Sequence, residues 1–194
     1  MRLRSYLLGL CCALSASALM ASVQPVAFDL DGKPVNDLAA PGAHVVVLVF
    51  AAIDCPISNR YIPTIEHLRT EWKSKGVRVW WVFPNPNDTA STVKKHDEEF
   101  SMATPVLLDT HQNLVHLAHA GVTPEAAVFS VHNGQLHEIY HGRIDNRYRA
   151  FGVERPQPTT HELADAIEAA LTEHAAPKPE ANPVGCAIVP LGEK

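Results

Sequence analysis

Val45-Val46-Val47-Leu48-Val49-Phe50-Ala51-Ala52-Ile53-Asp54-Cys55-Pro56-Ile57-Ser58 is the stretch that decides the fold of this 194-residue chain. Its first six residues are continuous, mostly β-branched and apolar. That is the pattern of a strand buried on both faces, not of one alternating between core and solvent. Beyond Cys55 the period changes. Tyr61, Ile62, Ile65, Leu68 and Trp72 recur at helical spacing, and Gly76 supplies the stop. Pro56 suits the first helical turn, where no N–H is needed. A cysteine therefore stands where a buried strand gives way to a helix. Unpaired N–H groups and the helix dipole stabilise a thiolate at such a place. Asp54 opposes this, because a neighbouring carboxylate raises a thiol pKa; Arg60 and Arg143 are the cations that could offset it in space. A buried, inert cysteine is the plain alternative.

On either side of this stretch, Val77 to Phe83 reads as a second buried strand, and Phe28 to Val35 as two short strands around an Asp31-Gly32 turn. Pro84 to Asp88 is a loop that caps a helix through Thr89 to Phe100. Pro105 to Leu108 is a short strand and Leu114 to Ala120 a short helix. Ala126 to Val131 and Leu136 to Tyr140 flank Asn133-Gly134, a hairpin signal. Thr159-Thr160-His161-Glu162 reads as a capping box that opens a helix with Leu163, Ile167, Ala170 and Leu171 on one face. Trp72, Trp80 and Trp81 read as core and sheet-face residues. There is no internal repeat. The early βαβ alternation implies a parallel sheet covered on both faces, and the late hairpin adds an antiparallel part. The expected fold class is α/β, a mixed central sheet with helices on both faces, an N-terminal β-hairpin and a C-terminal Pro-rich tail.

Both ends fall outside that domain. Arg2 and Arg4, the apolar Tyr6 to Leu14 and Ala16-Ser17-Ala18 have the form of a signal peptide over residues 1–21, cut after Ala18 or Ala21. An uncleaved anchor is the alternative. A lipoprotein is opposed by Leu10 and Cys11, which precede Cys11 and Cys12 where a small residue is wanted. Residues 22–174 form the domain, and residues 175–194 a tail ending in Val184-Gly185-Cys186-Ala187-Ile188. Cleavage leaves Cys55 and Cys186, enough for one disulfide in an oxidising compartment and too few for a structural zinc site. The formal charge is −5, and loss of Arg2 and Arg4 makes it more negative. Neither nucleic acid nor an anionic membrane surface is expected as a partner of the mature chain.

Phe50 to Ser58, Pro63 eight residues after Cys55, and Thr123-Pro124 just before the strand at Ala126 together resemble the thioredoxin-like superfamily. The resemblance runs from about Val26 to Glu173. It implies a three-layer thioredoxin-like sandwich with Cys55 as the attacking cysteine and Pro63 as a proline that kinks its helix. It further implies that Thr123 and Pro124 are a threonine and cis-proline pair that packs against Cys55 and presents backbone groups to a substrate chain. The short helix at Leu114 to Ala120 looks like the insertion of the redoxin and cytochrome-maturation branches. Cys55 to Tyr61, Gly142 to Tyr148 and the terminal Gly185-Cys186-x-Ile188 resemble a group of exported bacterial redoxin-domain proteins.

The departures carry equal weight. Ser58 stands where the second cysteine of C-x-x-C belongs, so dithiol exchange within that motif is excluded. Asp54 replaces the usual tryptophan. Ala52 stands where a peroxiredoxin has threonine, which weakens a peroxidase reading. Asn59 stands where a copper chaperone of the cytochrome-oxidase-assembly type has its second cysteine.

The tail offers a substitute for the missing cysteine. The eleven residues from Ala175 to Cys186 can extend by about 36 Å, so Cys186 can reach Cys55 as a resolving cysteine or as half of a permanent staple. The expected activity is thiol-disulfide exchange through Cys55, Cys186, Thr123 and Pro124, with Ser58 and Arg143 contacting substrate. Its partners are protein thiols or disulfides, or an upstream thiol reductant, and no cofactor is assigned. The alternatives are a Cu(I) module built on Cys55, Cys186 and a histidine, a non-catalytic interaction domain, and a weak peroxidase. Arg143 and Asp145 serve either the substrate or a salt bridge that holds the loop to Pro158. His111, His116 and His119 gather around one short helix, the last two on one face. His132, His137 and His141 lie along the hairpin, His137 and His141 sharing a face. Solvation is the expected state of these histidines, with a metal site around His111, His116 and His119 as the alternative, and no metal ligands are assigned. Asn87-Asp88-Thr89 matches a glycosylation sequon.

Overall fold

A computed structural model describes residues 26–178 and 180–192. The expected signal peptide over residues 1–21, with Cys11 and Cys12, lies outside the described residues. The apolar run forms β3 (Val45–Phe50), in which every residue is buried. Before it, β1 (Ala27–Phe28) and β2 (Pro34–Val35) pair antiparallel around the Asp31-Gly32 turn. After it come α1 (Pro56–Trp72), a 3-10 turn over Lys73–Lys75 and β4 (Val77–Phe83). Gly76 ends the turn in the left-handed region at φ 78°, which favours glycine there. The chain continues through α2 (Ala90–Phe100), β5 (Val106–Leu108), α3 (Asn113–Leu117), β6 (Val122–Thr123), β7 (Glu125–His132) and β8 (Gln135–Gly142). The remaining elements are β9 (Tyr148–Ala150), β10 (Val153–Glu154), α4 (Glu162–Leu171) and β11 (Cys186–Ala187).

The central sheet has the order β2-β1-β5-β4-β3-β7-β8. β3, β4 and β5 run parallel, β7 and β8 antiparallel. Side-chain alternation divides the core between the two faces. Val45, Val47 and Val49 point to the face covered by Tyr61 and Ile65 of α1, Val93 of α2 and Ile167 of α4. Val46, Leu48 and Phe50 point to the face covered by Leu114 and Val115 of α3 and by Leu38. This is a three-layer thioredoxin-like α/β sandwich with a mixed sheet. Pro63 lies inside α1 and withholds the N–H that the Asn59 carbonyl would otherwise accept.

Several local expectations are corrected. The box at Thr159–Glu162 does not form: α4 starts after His161 without a side-chain cap. The Thr159 hydroxyl accepts from Asn146 instead, at 2.8 Å, and Glu162 turns to Arg143. The α3 helix stops at Leu117, short of Ala120, and His119 takes a left-handed φ of 51°. The loop after β8 folds into a β9–β10 hairpin. The hairpin histidines divide differently from a simple period of two. Phe129 pairs with Glu138 and Val128 with Tyr140, so Ile139 is an extra, bulged residue. The bulge turns His141 to the face opposite His137, whose ring instead lies 5.6 Å from that of His132.

Candidate functional site

Cys55 is the N-cap of α1, with Pro56 in the first turn. It is held there because β3 ends against β4, where Ala51 N–H donates to Val82 O at 2.9 Å, and the chain turns before entering the helix. The Cys55 N–H donates to Ala52 O, and the Cys55 carbonyl accepts from Asn59 N–H at 3.1 Å. The side chain is fully buried. As a thiol, its Sγ donates to Thr123 O at 3.2 Å.

Thr123 ends β6, and the Thr123–Pro124 peptide bond is cis, as the resemblance implied. Its position is fixed from behind by Glu125. The buried Glu125 carboxylate accepts from Gly121 N–H at 2.8 Å and from Val122 N–H at 3.2 Å.

The tail returns to this place. β11 pairs antiparallel with β6, Cys186 opposite Thr123 and Ala187 opposite Val122. Ile188 N–H donates to Gly121 O at 3.1 Å, and Gln112 donates from Nε2 to Val189 O at 2.5 Å and to Pro84 O at 3.2 Å. Both cysteines are free thiols. Cys186 Sγ donates to Cys55 Sγ at 2.8 Å, a contact between residues 131 positions apart. Gly185 permits the approach. A Cβ there would lie 2.2 Å from Thr123 O and 2.6 Å from its carbonyl carbon, far inside carbon–oxygen contact distance.

The two thiols are electrostatically unlike. Burial acts against the Cys55 thiolate, but the hydrogen bond from Cys186 and those from the Ser58 N–H and hydroxyl outweigh it, and the pKa lies below the ordinary thiol value. Cys186 is pushed up to about 12, first by burial, then by its hydrogen bond to Cys55 and the Cys55 charge, then by Asp54. The Asp54 carboxylate, expected to oppose the Cys55 thiolate, thus acts on Cys186. It acts also on Asp88, whose carboxyl is raised to about 6 by burial first and the Asp54 charge second.

Ser58 is buried, 1% exposed. Its hydroxyl accepts from Ala52 N–H at 3.4 Å and supports the Cys55 sulfur; it offers no surface to a substrate in this arrangement. Arg143 is placed with its guanidinium on Glu162, Nε donating to Oε1 at 2.7 Å and Nη2 to the same oxygen, with Glu180 of the tail 3.7 Å away. This is the salt-bridge alternative of the sequence reading. Asp145 accepts from the Tyr61 hydroxyl at 2.5 Å and from Arg147 N–H at 2.8 Å. The Gly142 to Tyr148 segment therefore braces α1 and α4. The sequence gives no signal for His96 or Gln112, and marks Asn59 only as a departure from a C-x-x-x-C motif and Asp88 only as part of a loop and a sequon. Asn59 links Ile53 O to His96, at 3.4 and 2.8 Å, and so ties the loop before Cys55 to α2. No local spacing signals such a contact across 37 positions.

A cavity of about 140 Å³ opens beside the thiols, lined by Asp54, Pro84, Asn85, Thr123, Cys186 and Ile188 among others. The tail forms one of its walls. Among the described residues no group of three metal-ligating side chains gathers about the two sulfurs.

Comparison with known proteins agrees with this fold. The sequence profile of the family described as Redoxin matches residues 18–132, more than half of the chain. A thiol-disulfide oxidoreductase ResA of Halalkalibacterium halodurans is 26% identical over 114 residues, 59% of this chain and 62% of that protein. The chain thus spans about three-fifths of the length of that relative. A crystal structure of an uncharacterised conserved protein from Geobacillus kaustophilus superposes with a TM-score of 0.70 at 22% identity, over 87% of this chain and 90% of the other. A thioredoxin-like protein from Porphyromonas gingivalis gives a TM-score of 0.51 at 22% identity, over 77% and 88%. These two likenesses show the fold.

Proposed function

The chain belongs to the Redoxin family, and from that premise we propose that it is an exported thiol-disulfide oxidoreductase in which Cys55 attacks and Cys186, brought in by the tail, resolves. The observation that carries the reading is the 2.8 Å contact between the two sulfurs, joined to their opposite pKa shifts. A lowered thiol is the attacking partner, because the thiolate is the nucleophile. The curated relative is named for the same reaction class.

The exchange proceeds in two displacements. The Cys55 thiolate forms a bond to one sulfur of a substrate disulfide. The substrate S–S bond breaks, and the departing thiolate takes a proton from water. Cys186 then loses its proton and attacks Cys55 Sγ of the mixed disulfide. The second substrate sulfur leaves as a thiol, and a Cys55–Cys186 disulfide remains. The substrate gains two electrons and the protein loses two. Capture of Cys55 in the mixed disulfide removes the thiolate charge that holds the Cys186 proton, so the resolving thiol becomes easier to ionise when it is needed. An upstream thiol reductant regenerates both thiols, and the same steps in reverse oxidise a substrate dithiol.

Thr123 and Pro124 act by position, with the Thr123 carbonyl at the attacking sulfur. The tail strand lies on Thr123 as an incoming chain would, and Arg143 and Ser58 support the frame from beneath. Export rests on the Arg2, Arg4 and Ala16 to Ala18 pattern. No described helix is long and apolar enough to cross a membrane.

The test is disulfide exchange with a protein substrate by the mature chain. Cys55→Ser abolishes it, and Cys186→Ser accumulates a mixed disulfide on Cys55. Exchange that survives Cys55→Ser refutes the assignment. A Cys55–Cys186 disulfide that resists strong dithiols in the folded chain makes the pair a staple and favours the interaction-domain alternative.

A further inference from the structure

We propose that His119, Glu138 and His141 form a site for one divalent first-row transition-metal ion, of which Zn²⁺ is the representative. The three residues come from separated parts of the sequence, and two backbone irregularities bring them together. His119 lies just past the end of α3 in the left-handed region. Glu138 and His141 are three apart on β8, a spacing that places side chains on opposite faces of a regular strand. The Ile139 bulge cancels one step. Glu138 then sits opposite Phe129 and His141 opposite Ala127, both on the face that α3 covers.

The Glu138 carboxylate already gathers both imidazoles. Its Oε1 is 2.7 Å from His141 Nδ1, and its Oε2 is 3.3 Å from His119 Nδ1. One ligand atom from each residue lies within 4.8 Å of the others, and the two rings are 5.9 Å apart. Glu138 is the anchored member, with its side chain 23% exposed, while His119 and His141 are 71% and 46% exposed. The imidazoles are therefore free to close the remaining distance to the about 2.0–2.1 Å of a Zn–N bond. Two imidazoles and a carboxylate suit Zn²⁺, Cu²⁺ or Ni²⁺ rather than Ca²⁺ or Mg²⁺. Three protein ligands leave a fourth, open position.

The site has a structural consequence. His119 leads directly into Gly121 and Val122, which Glu125 holds, and then into Thr123 at the Cys55 sulfur. An ion here clamps that segment to β8. The site shares no residue with the thiol pair and does not depend on the proposed exchange activity.

The test is a calorimetric titration of Zn²⁺ into the untagged chain carrying Cys55→Ser and Cys186→Ser, so that neither sulfur binds the metal. One ion per chain is expected. Loss of groups that merely orient metal ligands costs about 10–100-fold in affinity, so Glu138→Gln and His141→Ala should each weaken binding at least that much. His137→Ala, on the other face, should leave it unchanged. Circular dichroism verifies that each variant is folded. Absence of saturable binding, equal affinity in folded Glu138→Gln and His141→Ala variants, or one ion per two chains would overturn the proposal. In those cases the cluster is a pair of surface Glu–His contacts or a bridge between molecules.

Discussion

Replacing Gly185 by alanine tests whether the tail is seated by its close approach to the cis peptide. The new Cβ would fall 2.2 Å from Thr123 O and 3.0 Å from Pro124 N, against a comfortable carbon–oxygen separation of about 3.5 Å. The neighbour is backbone held by Glu125, so the tail must be the part that moves, by about 1 Å or more. That shift strains the β11–β6 pairing, the Ile188 N–H bond to Gly121 O and the Thr123 hydroxyl bond to Cys186 O. Each such bond contributes about 0.5–1.5 kcal/mol net. Loss of two or three removes about 2–3 kcal/mol of docking, and lowers the effective concentration of Cys186 at Cys55 by about 30- to 150-fold. For a two-electron couple that is a rise of about 45–65 mV in the reduction potential of the Cys55–Cys186 disulfide. The assay is equilibration with glutathione or dithiothreitol buffers, with alkylation of free thiols read by mass spectrometry. Gly121→Ala is the control, because a Cβ there meets nothing within 4 Å. An unchanged midpoint in Gly185→Ala would refute the argument that steric seating of the tail brings the thiols together.

Three further outcomes follow from the charges. Cys186→Ala removes the strongest of the hydrogen bonds that lower the Cys55 pKa, so the Cys55 titration, followed by ultraviolet thiolate absorbance, should move upward; a midpoint that stays or falls contradicts the assignment. Asp88→Asn should stabilise the fold by about 1–3 kcal/mol near pH 8 and by almost nothing near pH 4. A carboxyl raised to about 6 in the folded state keeps its full stability contribution below the unfolded pKa and loses it as pH rises through the folded one, and urea midpoints at the two pH values check the sign. The Arg143–Glu162 pair is nearly buried, with side chains 12% and 5% exposed. Glu162→Ala alone should therefore cost about 3–5 kcal/mol in urea unfolding, whereas the Arg143→Met/Glu162→Leu double variant should lose far less.

Much of the fold was legible because it is written in local periods. β3 and β4 occupy the apolar stretches Val45–Phe50 and Val77–Phe83, since strands buried on both faces are built almost wholly from apolar residues; the exception, Arg78 of β4, is half-buried with its guanidinium over the Trp80 ring. The Asp31-Gly32 and Asn133-Gly134 turns sit at the hairpin bends, since their backbone geometry selects those residues. Errors occurred where a side chain had two partners available. Thr159 and Glu162 fit a capping box, but Asn146 and Arg143, 13 and 19 positions away, hold them instead. One bulged residue, Ile139, was enough to exchange the faces of the hairpin histidines, because strand alternation has a period of two and a single insertion inverts everything beyond it.

By itself the sequence determined the sandwich, the place of Cys55 at a strand–helix junction and the absence of a second cysteine at position 58. Tertiary structure alone decided what stands in for that cysteine. Sulfurs 131 positions apart meet because the tail adds a strand to β6 and Gly185 has no Cβ to hold it away from Thr123. The same packing decided that Arg143 serves Glu162 and that Asp54 acts on the other thiol. Local sequence sets backbone preference within a few residues, whereas a thiol's partner and ionisation depend on every charge, dipole and buried surface within a few ångströms, whatever the distance along the chain.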